Sequence, residues 1–194
     1  MRINGTFVTV GLLGVAATAA IALSATAAPV ASPRIALADN TVAIDPTAVA
    51  PGDGSLGDGQ ILTPFDVQNP AIGLLDPALL NAVQAAASAA SADGITMTIT
   101  SGWRSPEFQE RLLDSAVASY GSMAAARQYV QTPGGSRHVI GEAVDVGGAA
   151  ADHWLIANGA RFGLCQIYAN ELWHFELATD TAGNCPPLLP NASG

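Results

Sequence analysis

The sequence predicts an α+β fold, a single domain in which helices pack around a small, mainly antiparallel sheet. Three observations lead there. Helical segments with their own start and stop signals fall at 76–94 and from 105 onward, and short β-type runs ("ITMTIT", "EAVDV", "CQIYA", "LWHFEL") lie between and after them. No internal repeat is visible. Runs of helices beside several short strands favour α+β architecture with antiparallel pairing.

The first 38 residues stand apart. Met1-Arg2 carries positive charge, Phe7 to Ala28 is an uncharged run rich in small and aliphatic residues, and Ala36-Leu37-Ala38 precedes Asp39 as a small-residue cleavage site. This is the layout of a secretory leader, 1–38. The run is also long enough to span a bilayer, so a retained anchor is the rival reading. Residues 39–60, ending in "APGDGSLGDGQ", have the turn-forming, aperiodic composition of a flexible linker. The folded domain is expected over 61–189, with 190–194 as a disordered tail.

Within the domain, "DPALLNAVQAAASAASADG" reads as a helix, with Asp76 as N-cap, Pro77 at the first helical position and Gly94 beyond the end. "ITMTIT" (95–100) alternates apolar and hydroxyl side chains, as a half-buried strand does. Ser105 and Pro106 repeat the helix-start signal, with apolar positions at 108, 112, 113, 116 and 117. A further helix is expected from Ser122 to about Val130, ended by "TPGGS". "EAVDV" follows as a strand, "AADHWLIANGARFG" as a helix, and "CQIYA" and "LWHFEL" as strands.

Composition excludes some functions. The chain has seven basic residues, all arginine, against sixteen acids. Cleavage after Ala38 removes Arg2 and Arg34, so the mature protein is strongly acidic and unsuited to nucleic acid or anionic membranes. No second stretch is long and apolar enough to cross a bilayer, so no membrane contact is expected after cleavage, and a monomer is expected. Cys165 and Cys185 are the two cysteines. An even pair in an exported protein reads first as a disulfide, with two buried thiols as the alternative.

His138 and Asp145 are separated by a Gly-containing turn, and His174 follows 29 residues after Asp145. Two imidazoles and a carboxylate can make a zinc tripod with a fourth position left for water. Glu171 lies three residues before His174, an offset that on a regular strand sends two side chains to opposite faces. To serve one site with His174 as a general base, it must sit in a turn or bulge just before the strand. Spacing alone leaves this undecided, since each residue could equally be a cap, an ion-pair partner or a core polar group. His153 is read as an ordinary surface or core histidine.

Three motifs resemble a known family. "SRHVIGEAVD" (136–145) matches the Ser-x-His-x-x-Gly-x-Ala-x-Asp signature of VanY-type zinc D-alanyl-D-alanine carboxypeptidases, and "ELWHFE" (171–176) matches their Glu-x-Trp-His. "SGWRS" (101–105) resembles their Ser-Gly-Tyr-Arg-Ser segment, with Trp103 in place of tyrosine. The motifs stand in family order across roughly 61–180. The resemblance implies that the sheet carries a zinc site with ligands His138, Asp145 and His174, and that Glu171 is the catalytic base. It further implies that Arg104 stabilises the reacting carbonyl oxygen or binds the substrate carboxylate, and that Ser136 and Gln109 help bind substrate. Trp173 is expected to pack on the reverse face of the zinc strand. The implied protein is a secreted or envelope enzyme of a bacterium that removes the terminal D-amino acid from peptidoglycan stem peptides, D,D or L,D. The alternatives are an endopeptidase of the same fold and a non-catalytic cell-wall-binding module.

Overall fold

A computed structural model describes residues 52–57 and 59–194. The expected leader and residues 39–51 of the expected linker lie outside the described residues. Helix α1 spans Pro70–Gly73 and α2 Pro77–Ala92, then β1 Thr98–Ser101, α3 Pro106–Tyr120 and α4 Met123–Ala126. Strand β2 is Ala143–Gly147, followed by α5 Ala149–Asn158, a 3₁₀ turn at Gly159–Phe162, β3 Leu164–Gln166 and β4 His174–Leu177. The four strands form one sheet in the order β1-β2-β4-β3, with every pairing antiparallel.

The start signals act as expected. The Asp76 carboxylate accepts from the backbone N–H groups of Ala78 and Leu79, and the Ser105 hydroxyl accepts from that of Phe108. Each satisfies donors that a helix N-terminus leaves free. Gly121 closes α3 in the left-handed conformation.

Alternation sorts the sheet into two faces. Val144, Val146, Ile99 and Phe175 point into one core together with Leu79, Val83 and Ala86 of α2 and Trp154 and Leu155 of α5. Each such buried aliphatic or aromatic side chain contributes roughly 1.5–3 kcal/mol. The opposite face carries Asp145, His174 and Glu176, all buried. Phe108, Leu112, Leu113 and Ala116 of α3 make a second cluster with Ala126 and Val130.

Several elements differ from the expectation. The helix expected over 122–130 is only one turn long, and the chain runs on through turns to Val130, whose side chain is buried in the α3 cluster. The strand expected at 95–100 begins at Thr98, because only from there does β2 supply partners. Trp173 is half-buried in the turn ahead of β4, and the reverse face of that strand is filled by Phe175. Within the expected linker, Asp53 is anchored to the domain. Its carboxylate pairs with Arg111, and its carbonyl accepts from Ser105 N at 2.8 Å.

The C-terminal residues also bind back instead of trailing. A Cys165–Cys185 disulfide returns the tail to β3. Ala169 N donates to Leu189 O and Leu189 N to Ile167 O, and Ala192 is buried with its carbonyl accepting from Gln131. Leu189 thus pairs with the segment just after β3, and Ala192 with Gln128 and Gln131 in the segment after α4. Among the described residues, no helix is long and apolar enough to cross a membrane.

Candidate metal centre

Three segments converge on the polar face of the sheet. Asp145 on β2 and His174 on β4 are direct partners in register, which places both side chains on one face. His138 comes from the turn before β2. It is held by the segment following β1: its Nδ1 donates to Gly102 O at 2.7 Å, and Arg104 N donates to His138 O at 3.2 Å. Trp103 Nε1 donates to Val139 O at 3.1 Å, so the indole braces the same turn.

Two glycines make this fit possible. A Cβ on Gly102 would lie 2.0 Å from Ala71 O. Gly141, at φ +75°, would bring one within 2.7 Å of Leu74 O. No L side chain is accommodated at either position.

The donor atoms meet closely. His138 Nε2 lies 3.3 Å from Asp145 Oδ1 and 3.3 Å from His174 Nδ1, and His174 Nδ1 lies 3.2 Å from Asp145 Oδ1. A tetrahedral ion with bonds of about 2.0–2.1 Å sets its donors roughly 3.3 Å apart, so the triangle has the size that zinc requires. A carbonyl can only accept, so the Gly102 bond leaves His138 Nε2 as a lone pair in the neutral ring. Lone pairs and a carboxylate oxygen converging at this distance call for a cation among them. Among the described residues, these three form the one group of histidine, cysteine and acid side chains arranged to hold a metal.

Electrostatics point the same way. Burial opposes a charge on His174, yet its hydrogen bonds to Asp145 and Glu176, together with the carboxylate charges, raise it to about 9. Burial lowers His138, and the Arg104 charge adds to this. Burial alone would raise Asp145, but the two histidines and Arg104 hold it well below the usual carboxylate range. Without metal the centre therefore keeps a proton on His174, and a divalent ion would displace it.

Glu171 lies just before the turn that leads into β4, with His174 N donating to its carbonyl at 3.4 Å. The irregular backbone overcomes the strand's alternation and brings Oε2 to 3.9 Å from His174 Nδ1. The side chain is buried and Oε1 has no hydrogen-bond partner. Burial pushes its carboxyl up to about 7; Asp145 and Glu176 add to this, while His174 and Arg104 oppose it.

Arg104 donates through Nε to Ser101 Oγ at 2.7 Å, through Nη1 to Gln109 Oε1 at 3.1 Å and through Nη2 to Asp145 Oδ2 at 2.7 Å. A guanidinium has five N–H groups, so one on each Nη remains for an incoming anion. Gln109 is fully buried and donates to Gln131 O at 2.8 Å, so it reaches the centre by holding Arg104. Ser136 is buried two residues before His138, with its N–H bonded to Thr132 O at 3.0 Å.

Three residues at the centre escaped the sequence reading. Ser101 anchors Arg104. The Tyr168 ring lies 5.0 Å from that of His174. Glu176 Oε1 lies 2.9 Å from His174 Nε2. Glu176 alone carried a usable signal, because two residues along a strand is the same face.

Comparison with known proteins fits this geometry. The family profile VanY, described as D-alanyl-D-alanine carboxypeptidase, matches residues 73–179. A D-alanyl-D-alanine carboxypeptidase of Enterococcus faecalis is 33% identical over 112 residues, which is 45% of this chain and 42% of that protein. The chain thus spans less than half the length of that relative. Among solved structures, a mutant of the vancomycin-resistance D,D-pentapeptidase VanY, in complex with Zn(II), superposes with a TM-score of 0.50 at 31% identity, covering 53% of this chain and 71% of that one. VanYB in complex with D-alanine-D-alanine gives 0.50 at 29% identity, covering 53% and 70%.

Proposed function

Because the chain belongs to the VanY family of D-alanyl-D-alanine carboxypeptidases, we propose that it is an exported zinc peptidase that removes the terminal D-amino acid from peptidoglycan stem peptides. The observation that carries this reading is the triangle of His138, Asp145 and His174 donors at 3.2–3.3 Å, with the buried Glu171 carboxylate beside it, one of its oxygens lacking a hydrogen-bond partner. His138, Asp145 and His174 would hold the zinc. Bound there, zinc supplies a Lewis acid that polarises the scissile carbonyl and acidifies water.

This chain's own residues do the rest. Glu171, buried beside His174 with one carboxylate oxygen free of hydrogen bonds, is poised to take a proton from the attacking water and return it to the leaving amine. The two free N–H groups of Arg104 face negative charge, either the oxygen developing on the reacting carbonyl or the substrate's terminal carboxylate. Gln109 and Ser101 hold that guanidinium in place, and Ser136 lies beside the turn that carries His138. The predicted leader suits a protein of the bacterial envelope.

The test is incubation of the zinc-loaded protein with defined stem peptides, followed by mass spectrometry. The expected product lacks one C-terminal D-residue. Internal cleavage of a cross-linked dimer would shift the reading to an endopeptidase. Zinc binding without hydrolysis of any stem peptide would leave a wall-binding module.

A further inference from the structure

A third carboxylate is buried at this centre, and neither zinc ligation nor proton transfer uses it. Glu176 stands two residues beyond His174 on β4, on the same face of the strand, and is 8% exposed. Its Oε1 lies 2.9 Å from His174 Nε2. Its Oε2 faces Arg137 Nε at 3.4 Å, and Arg137 Nη2 in turn lies 2.6 Å from Glu142 Oε2. Burying a carboxylate is costly unless it is paired and hydrogen-bonded, and Glu176 is both.

The two histidines present opposite nitrogens to the centre. His138 offers Nε2, with Nδ1 tied to the Gly102 carbonyl. His174 offers Nδ1, with Nε2 turned to Glu176. A neutral imidazole carries one proton, and only the nitrogen without it can ligate a metal. If that proton sat on Nδ1, His174 would present an N–H to the metal. An anionic acceptor fixed behind the ring keeps the proton on Nε2 and makes Nδ1 more electron-rich.

We propose that Glu176, fixed by Arg137, is a positioning residue that selects the Nδ1-ligating tautomer of His174 and thereby strengthens zinc binding. The proposal rests on the zinc reading given above. It assigns a purpose to a His-x-Glu spacing that holds both side chains on one strand face. Arg137 keeps its Glu142 partner when Glu176 is removed, so the substitution orphans no cation.

The experiment compares wild-type protein with E176A and E176Q. Zinc dissociation constants are measured by chelator competition, and the ring nitrogens of His174 are followed by ¹⁵N NMR with and without zinc. Wild-type protein is expected to bind one zinc with a single His174 pattern, protonated at Nε2. E176A should bind zinc roughly 10–100-fold more weakly, with the Nε2 resonance of zinc-bound His174 moved from its wild-type position for want of the acceptor. E176Q keeps an acceptor without the charge, so it should fall between the two with Nε2 still protonated. Metal-free melting temperatures report folding separately. Variants that match the wild-type zinc affinity and ring pattern would overturn the proposal while leaving the zinc reading intact. A wild-type protein that binds no zinc would overturn both.

Discussion

Replacing Glu171 with glutamine should separate what this side chain does for chemistry from what it costs the fold. The carboxyl is buried, one oxygen lacks a partner, and burial raises it from 4.5 to about 7. At about 1.4 kcal/mol per pH unit, that difference corresponds to about 3 kcal/mol. Its sign follows from linkage. The folded state holds the proton more tightly than the unfolded chain, so the stabilisation is complete below pH 4.5 and is lost as pH rises through 7. Glutamine does not titrate, so the metal-free variant escapes this loss. The stability difference, E171Q minus wild type, should therefore rise by about 3 kcal/mol between pH 4 and pH 8. A constant cost of burying the amide cancels in that comparison. The assay is urea denaturation of both proteins, with chelator present, at a series of pH values. A difference that stays flat across the range would refute the reasoning, because it would mean that Glu171 titrates normally in the fold. In the zinc-loaded state the same variant should retain the metal and lose at least ~100-fold in hydrolysis.

Other outcomes follow from the same geometry. His138→Ala should weaken zinc binding at least ~100-fold, since two protein ligands hold the ion poorly; stoichiometric zinc at low free metal would remove His138 from the tripod. Arg104→Lys should reduce hydrolysis at least ~10-fold although the charge is kept, because an ammonium cannot span Ser101, Gln109 and Asp145 and still offer a fork to substrate. Full activity in that variant would make Arg104 an electrostatic neighbour only. Reducing Cys165–Cys185, whose partners are 20 residues apart, should cost about 3 kcal/mol and lower the melting temperature by roughly 10 °C. Zinc should remain bound below the transition, and an unchanged melting temperature would show that the tail stays docked without the bond.

Much of the centre was legible because its chemistry sits in short motifs. The pair Asp145 and His174 could be picked out from the motifs around "EAVDV" and "LWHFEL", whereas the need for glycine at 102 and 141 shows only in the fold, where the Ala71 and Leu74 carbonyls lie against them. Even the turn at Glu171 could be inferred, since strand alternation forbids a base three residues from its histidine. What was not legible depends on distant partners. Ser101 looks like an ordinary strand-end serine until Arg104 folds back onto it. The one-turn α4 carries a helix-like sequence, but burial of Val130 against α3 redirects the chain. Asp53 reads as linker because its partner, Arg111, is remote in sequence, and 190–194 reads as tail because the partners of Ala192, Gln128 and Gln131, are equally remote. Glu176 could have been found by counting two residues along β4, but a buried acid behind a ligand leaves no mark on composition.

The measurement that bears most directly on the account is hydrolysis of a stem peptide as zinc is returned to chelator-stripped protein. If His138, Asp145 and His174 hold the one catalytic ion, the rate rises in proportion to zinc and levels off at one equivalent per chain. Stripped protein that hydrolyses the peptide as fast as the reloaded enzyme would contradict the account.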